Sequence, residues 1–190
     1  MVKSGHPRKI LQGGISMHEW ECIQDLSREQ LLEYVEMQAK NWLALDGTWF
    51  QSLEQLRGMD EAMLHDERAW ARYTVFEARR IKKFLGLPEH PGLEGLRRAL
   101  NFRLYAAINR HAFSMEENGR VLIYRVLSCR VQDARLRKGM SLHPCRPVGL
   151  VEYSGFAREI DSRIQTQCLS CCPEITDKSV RCAWKFTLLC

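Results

Sequence analysis

The sequence predicts an α+β domain in which an N-terminal helical layer packs on a small antiparallel sheet. Three observations carry that prediction. Apolar residues recur at three-four spacing through the first 110 residues, the mark of amphipathic helices. Asn118-Gly119 stands between two apolar runs, a strong signal for a hairpin turn. The run from Val180 to Leu188 alternates, with Val180, Cys182, Trp184, Phe186 and Leu188 facing one way and Arg181, Lys185 and Thr187 the other. The order is therefore helices, hairpin, helices, hairpin.

Residues 1–16 show no helical periodicity and are expected to be a disordered extension. Gln12-Gly13-Gly14 is encodable by a purine-rich run like a ribosome-binding site, so translation is expected to start at Met17. Residues 17–190 then form one domain, with a helical half over 17–110 and a cysteine-rich sheet half over 111–190. Ser27-Arg-Glu-Gln30 is a capping box that opens the first helix. Its stripe runs Gln38, Trp42, Leu45, Trp49, Leu53 and Leu56, and Gly58 ends it. Asp66 is expected to cap the next helix, which carries Trp70, Tyr73, Ile81 and Phe84 and stops at Gly86 and Pro88. Leu93, Leu96, Leu100, Leu104 and Ala107 mark another.

In the second half, 111–117 should pair with 120–128 across the Asn118-Gly119 turn. Cys129 to Lys138 reads as a short basic helix closed by Gly139. Pro144 and Pro147 bracket a loop holding Cys145. Val148 to Ile160 reads as a helix that Gly155 weakens. Arg163–Leu169 and Val180–Leu188 make the last hairpin.

A chain of 190 residues that is 45% hydrophobic can bury one full core. No apolar stretch approaches the ~20 residues of a membrane span, so no membrane partner is expected. The basic start Met1-Val-Lys-Ser-Gly-His-Pro-Arg-Lys9 lacks the apolar core of a secretory signal. Cytoplasmic residence follows as the expectation, with reduced thiols that favour metal binding or reactivity over disulfides. The net charge of +5 concentrates between Arg120 and Arg146, where seven Arg or Lys face one acid, Asp133. No aromatic-basic interleaving, zinc-finger spacing or helix-turn-helix signal accompanies them, so nucleic acid is not expected. A small anionic ligand or a solvated basic face accounts for the charge, and a homodimer stays open.

Seven of the eight cysteines fall in the last 62 residues, three of them in Cys168-Leu-Ser-Cys171-Cys172. Cys168, Cys171 and Cys182 give three soft ligands around one hairpin, and Cys129, Cys145 or His143 can complete four. Zinc or an iron–sulfur cluster takes such a set. Only one Cys-x-x-Cys pair is present, so inert buried thiols and a reactive redox pair remain open. Cys172 can replace Cys171 in any of these roles, while Cys22 and Cys190 lie outside the cluster.

Asp46 stands inside the apolar run Trp42-Leu-Ala-Leu-Asp-Gly-Thr-Trp-Phe50. A buried carboxylate costs several kcal/mol unless paired or protonated. Gly47 beside it lowers helix stability by roughly 1 kcal/mol against alanine. Close helix packing and a ligand pocket both explain the pair. Glu77 shares the Trp70–Phe84 stripe, a second carboxylate aimed inward, and Arg80 and Arg103 are cations available to it or to Asp46. Either these form a helix-to-helix ion pair, or the acids line a cavity and an arginine binds a substrate carboxylate. His111 and His143 are the histidines available as a base to a thiol, and their spacing matches no thiol-hydrolase signature.

Several of these segments resemble an uncharacterised prokaryotic cysteine-rich family. They are Asn41-Trp-Leu-Ala-Leu-Asp-Gly47, Glu77-Ala-Arg-Arg-Ile-Lys-Lys-Phe-Leu-Gly86, Cys129-Arg-Val-Gln132, Ala134-Arg135 with Arg137-Lys-Gly139, and Pro144-Cys145. Val148-Gly-Leu-Val-Glu-Tyr-Ser-Gly-Phe-Ala-Arg158, Ile160-Asp161, Arg163-Ile164 and Cys182-Ala-Trp184 continue the resemblance. The family is similar to L-2-amino-thiazoline-4-carboxylic acid hydrolase, which opens a cyclic sulfur-containing amino acid. The resemblance implies that Cys129, Cys145, Cys168, Cys171 and Cys182 form one cysteine set, a metal-ligand set in the metal-binding reading. In the ligand-binding reading of the residues, Asp46 and Glu77 manage protons, Arg80 or Arg103 holds a substrate carboxylate with Asn41 as a further substrate contact, and a thiol of Cys168 or Cys171 acts as nucleophile or metal ligand. The chain departs from the pattern at Cys172-Pro173-Glu174 and at Ser162. The element order also resembles the 4-vinyl-reductase and transport-particle ligand-binding domains. The expected function is a hydrolase or binding protein for a small sulfur- or nitrogen-containing ring with a carboxylate. The alternative is a zinc- or iron–sulfur-binding or redox-sensing module.

Overall fold

The computed structural model describes residues 22–189. The extension expected over 1–16, the start expected at Met17 and Cys190 lie outside the described residues. The chain divides into two units, Met1–Tyr34 and Val35–Cys190. In the first, a turn of 3-10 helix at Ile23–Asp25 leads to the expected capping box. The Ser27 amide donates to Gln30 Oε1 at 2.8 Å and the Gln30 amide to Ser27 Oγ at 3.3 Å. Helix α1 (Arg28–Arg57) begins there and continues into the second unit.

In the second unit, α1 is followed by α2 (Met59–Phe84), α3 (Gly92–Leu100), β1 (Arg110–Glu116) and β2 (Val121–Ser128). Then come α4 (Arg130–Arg137), α5 (Arg146–Ile160), β3 (Ile164–Cys171) and β4 (Cys182–Leu188). This is the α+β fold the patterning predicts. Gly58 takes φ +87°, a left-handed value suited to glycine, and turns the chain in one residue. The second helix therefore starts at Met59, and Asp66 lies inside it rather than at its cap. The helix expected from Leu93 to Ala107 is also shorter. It stops at Leu100, Arg103 is extended, and Leu104–Ala107 forms a separate 3-10 turn.

The four strands form one antiparallel sheet in the order β1-β2-β4-β3. Asn118 (φ +54°) and Gly119 (φ +84°) make the turn between β1 and β2. Tyr124, Trp184 and Cys168 lie in one cross-strand row, and Val126, Cys182 and Cys171 in another. Between Cys168 and Ser170 the register shifts, leaving Leu169 as a bulge residue. In a regular strand Cys168 and Cys171 would point to opposite faces. The extra residue restores them to one side, and both are buried.

Helix α5 lies between α2 and the sheet, with a glycine serving each side. A Cβ at Gly149 would meet Trp184 Cζ2 at 2.7 Å, and one at Gly155 would meet Thr74 Cγ2 at 2.7 Å. Gly155 thus lets α2 approach, and the Thr74 hydroxyl donates to the Glu152 carbonyl at 2.9 Å. Leu96, Leu100, Leu122, Phe156, Ile160, Trp184 and Phe186 fill the core at this junction.

The inward face of α1 differs from the expected stripe. Leu45, Trp49 and Leu56 are 71, 70 and 77% exposed. Ala39 is buried, and Trp42, Asp46, Phe50 and Leu53 are half-buried. Two apolar stripes compete on this helix, and the core takes the one containing Ala39 and Asp46.

Candidate functional site

A cavity of about 330 Å³ opens in the second unit, lined by α1, α2, α4, α5 and the ends of β2, β3 and β4. Trp70, Tyr105, Tyr153, Trp184 and Phe50 supply aromatic walls. Three carboxyl groups reach it: Asp46 from α1, Asp66 from α2 and Glu152 from α5. Four thiols, Cys129, Cys145, Cys171 and Cys182, line the same space, and exposed Lys40, Arg130, Arg137 and Lys138 line its open side. Asp46 and most of the clustered cysteines are thus brought to one cavity.

Burial, reinforced by the nearby charge of Asp66 and eased by His143, pushes the Asp46 carboxyl up to about 6. Among the described residues it has no hydrogen-bond or ion-pair partner. Asp66 stands 3.5 Å from His143 Nε2. The histidine is held by Gln132, whose Oε1 accepts from the His143 amide at 2.9 Å and whose Nε2 donates to its carbonyl at 2.8 Å. The edge of Phe50 meets the imidazole ring at 4.6 Å between centroids.

Behind the aromatic wall lies an ionic triad. Arg103, 4% exposed, donates through Nε to Glu77 at 2.9 Å and through Nη1 to Glu152 at 2.6 Å. Its guanidinium lies over Phe156 at 4.8 Å and Tyr153 at 5.5 Å. Burial pushes Glu152 up to about 7, and Arg103 counters part of that. Arg103 is therefore taken up by two carboxylates, and neither it nor Glu77 lines the cavity. Of the other expected substrate contacts, Arg80 is exposed on α2 and Asn41 on α1, and neither lines the cavity. Arg135, by contrast, is tied to Glu54 by two hydrogen bonds of 2.7 and 2.8 Å.

The thiols meet around Cys171. Hydrogen bonds from Cys145, Cys168 and Cys182 hold the Cys171 thiol well below its ordinary value, helped by the charge of Arg146. The same bonds push those three thiols up. Gln132 Nε2 lies 3.0 Å from Cys145 Sγ, and Trp184 Nε1 donates to Cys182 Sγ at 3.3 Å. Cys171 is thus the thiol on which the other three converge. Cys168 joins the cluster without lining the cavity, and Cys129 lines the cavity outside the cluster. Burial raises Cys129. Cys172 is half-buried in the turn after β3. Among the described residues no three His, Cys, Asp or Glu side chains stand ready to hold a metal ion. The donors are soft enough for zinc or an iron–sulfur cluster.

Asp66 and Glu152 were missed as site residues in the sequence, though a signal exists. Each is an acid inside an apolar three-four stripe: Ala62, Asp66, Trp70 on α2, and Val148, Glu152, Phe156 on α5.

Fold and cavity together define an α+β domain built around one aromatic, acid-lined internal space. The chain belongs to DUF6125, a family of unknown function, whose profile matches residues 24–188. No curated protein matches the chain. Among solved structures, the chain is similar to the phenol-responsive sensory domain of the transcription activator PoxR, crystallised with phenol. The two share 16% identity, with a TM-score of 0.49 over 76% of this chain and 73% of that one. Among the described residues no helix is long and apolar enough to cross a membrane.

Proposed function

We propose that the protein binds a small ring-bearing molecule in this cavity. Its ring packs between the aromatic walls and a hydrogen-bond donor is turned toward Asp46. The observation that carries the reading is the unpartnered Asp46 carboxyl at an aromatic-lined cavity. Partial burial already disfavours the charged form of Asp46, and a bound amine, amidine or hydroxyl would relieve that cost. The basic residues at the open side suit a carboxylate on the same ligand. An amino-carboxylate ring meets both demands, in line with the anionic ligand expected from the charge distribution.

Hydrolysis of a sulfur- or nitrogen-containing ring is the finer form of this proposal. Asp46, largely ionised at neutral pH, takes one proton from water as the water oxygen adds to the ring's amidine carbon and the C=N electron pair moves to nitrogen. The carbon–sulfur bond then breaks as the carbonyl forms; the hydroxyl proton goes to that nitrogen, and Asp46 returns its proton to the leaving sulfur. Asp66 and His143 would hold the water and the ring.

Calorimetric titration with 2-aminothiazoline-4-carboxylate tests binding, and mass spectrometry of the mixture tests the addition of one water. The reading expects wild-type binding and at least roughly tenfold weaker binding by Asp46→Asn, one lost charge-assisted hydrogen bond. Equal affinity of the two proteins would overturn it. Binding without the added mass would leave a binding protein and remove the hydrolase.

The thiol cluster favours a second reading, a metal-binding or redox-sensing module. Its support is the convergence of Cys145, Cys168 and Cys182 on Cys171, with N–H donors from Gln132 and Trp184 behind it. Elemental analysis and a visible spectrum of anaerobically purified protein test it. About one zinc per chain, or a brown chromophore, favours this reading; a colourless, metal-free protein removes the metal form.

A further inference from the structure

We infer that the outward face of α1 is the contact between two copies of this chain. The face is a stripe at alternating three- and four-residue spacing: Val35, Gln38, Trp42, Leu45, Trp49, Ser52 and Leu56. A mean period of 3.5 residues is the spacing at which one helix presents a continuous seam to another helix. The seam is open. Val35 is 51% exposed, Leu45 71%, Trp49 70% and Leu56 77%. Trp42 is half-buried, with its ring stacked on Tyr73 at 5.6 Å, and anchors the seam to the body of the domain.

Two features select a second copy as the occupant. First, the stripe reads almost the same from either end. Val35 matches Leu56, Gln38 matches Ser52, Trp42 matches Trp49, and Leu45 sits at the middle. A two-fold axis crossing the helix near Leu45 therefore sets apolar against apolar and polar against polar, with the exposed Trp49 reaching the rim of a Trp42 whose ring is held by Trp70, Tyr73 and Tyr105. Self-complementarity of this kind defines an isologous interface. The positions bordering the seam on its outer side, Asn41, Thr48 and Gln55, are uncharged. Two copies thus meet along that border with no like-charge repulsion.

Second, the area matches. From Val35 to Leu56 the helix is on the order of 30 Å long at its 1.5 Å rise. Trp49 alone leaves on the order of 150 Å² open. With Leu45, Leu56 and Val35 the apolar patch is on the order of several hundred Å², a size at which exposed patches are often functional. With its polar neighbours, a helix face of this length reaches the scale of the ~800 Å² per partner found in stable dimers.

Sedimentation equilibrium of the full-length chain across a hundredfold concentration range tests this. The expected result is a dimer whose dissociation constant rises at least roughly 30-fold in Trp49→Glu, the loss of one central aromatic anchor. The far-UV circular dichroism of that variant should match wild type, because Trp49 makes no part of the core. Leu56→Lys probes the same face two turns away and should weaken the dimer in the same direction. A wild-type monomer at 100 μM-scale concentration, about the weakest useful self-association, would overturn the inference, whatever else covers the seam. So would a dimer that neither substitution weakens.

Discussion

The indole of Trp184 occupies the space where a side chain at Gly149 would begin. A Cβ there would meet the ring at 2.7 and 2.9 Å. Trp184 is fully buried, pairs across the sheet with Tyr124 and Cys168, and lines the cavity. The Gly149→Ala variant must push the ring or α5 aside, so it should lose about 1–3 kcal/mol by overpacking. Chemical denaturation measures the loss. A shift in tryptophan fluorescence would place it at Trp184.

Gly47 gives the opposite expectation. Nothing lies within 4 Å of a Cβ at that position, and its backbone is helical. Gly47→Ala should stabilise by about 0.5–1 kcal/mol through helix propensity alone. An unchanged or lowered midpoint in urea would refute the reading of open space there.

Arg103 is shared by two buried carboxylates. Replacing it by methionine leaves Glu77 and Glu152 without their cation, and stability should fall by about 3–5 kcal/mol. The deficit should shrink as pH falls toward 5, because unpaired buried acids take up protons. A loss independent of pH would mean that the guanidinium acts mainly by packing against Phe156.

The Asp46 carboxyl has a folded-state value near 6, against an ordinary 3.8. Between those values the folded chain binds more protons than the unfolded one. Stability therefore falls as pH rises from about 4 to 6, and the deficit persists above 6. Asp46→Asn removes the titration. Allowing for partial solvent access, it should be more stable than wild type by about 1–2 kcal/mol at pH 8 and equal at pH 4. Denaturant midpoints at the two pH values decide the matter. A variant that is less stable at pH 8 would make Asp46 a structural acid with a partner.

Cys171 and Cys172 are neighbours with different surroundings. Alkylation by iodoacetamide entering through the cavity at pH 7 should slow several-fold in Cys171→Ser, which removes the cavity-lining thiol whose ionisation its neighbours favour. Cys172→Ser should leave the fast phase intact. Equal effects of the two substitutions would dissolve the distinction.

Much of the fold was legible in the sequence because its signals are local. Asn118-Gly119 carries its own turn chemistry, and the alternation through Trp184 and Phe186 needs only the strand period. The ends of β3 and β4 fell within three residues of expectation. Where two local signals compete, tertiary packing decides. On α1 the larger stripe of Leu45 and Trp49 predicts the inward face, yet the domain turns Ala39 and Asp46 inward. Asp66 predicts a cap because acids favour helix starts, but Gly58 already places the start at Met59. The cysteine cluster was partly visible as spacing. The bulge at Leu169, which turns Cys168 and Cys171 to one side, depends on pairing with β4 and leaves no mark in the residues themselves.

The sheet order has a consequence for how the protein is made. Strand β4, the latest of the four to be synthesised, lies between β2 and β3 and is hydrogen-bonded to both. Until residues near Leu188 leave the ribosome, β1–β2 is an isolated hairpin and β3 has no strand partner. The helices can form early, but the space bounded by Trp184 and Cys182 closes only when translation reaches them. A nascent chain arrested short of β4 should therefore remain open to protease along β3.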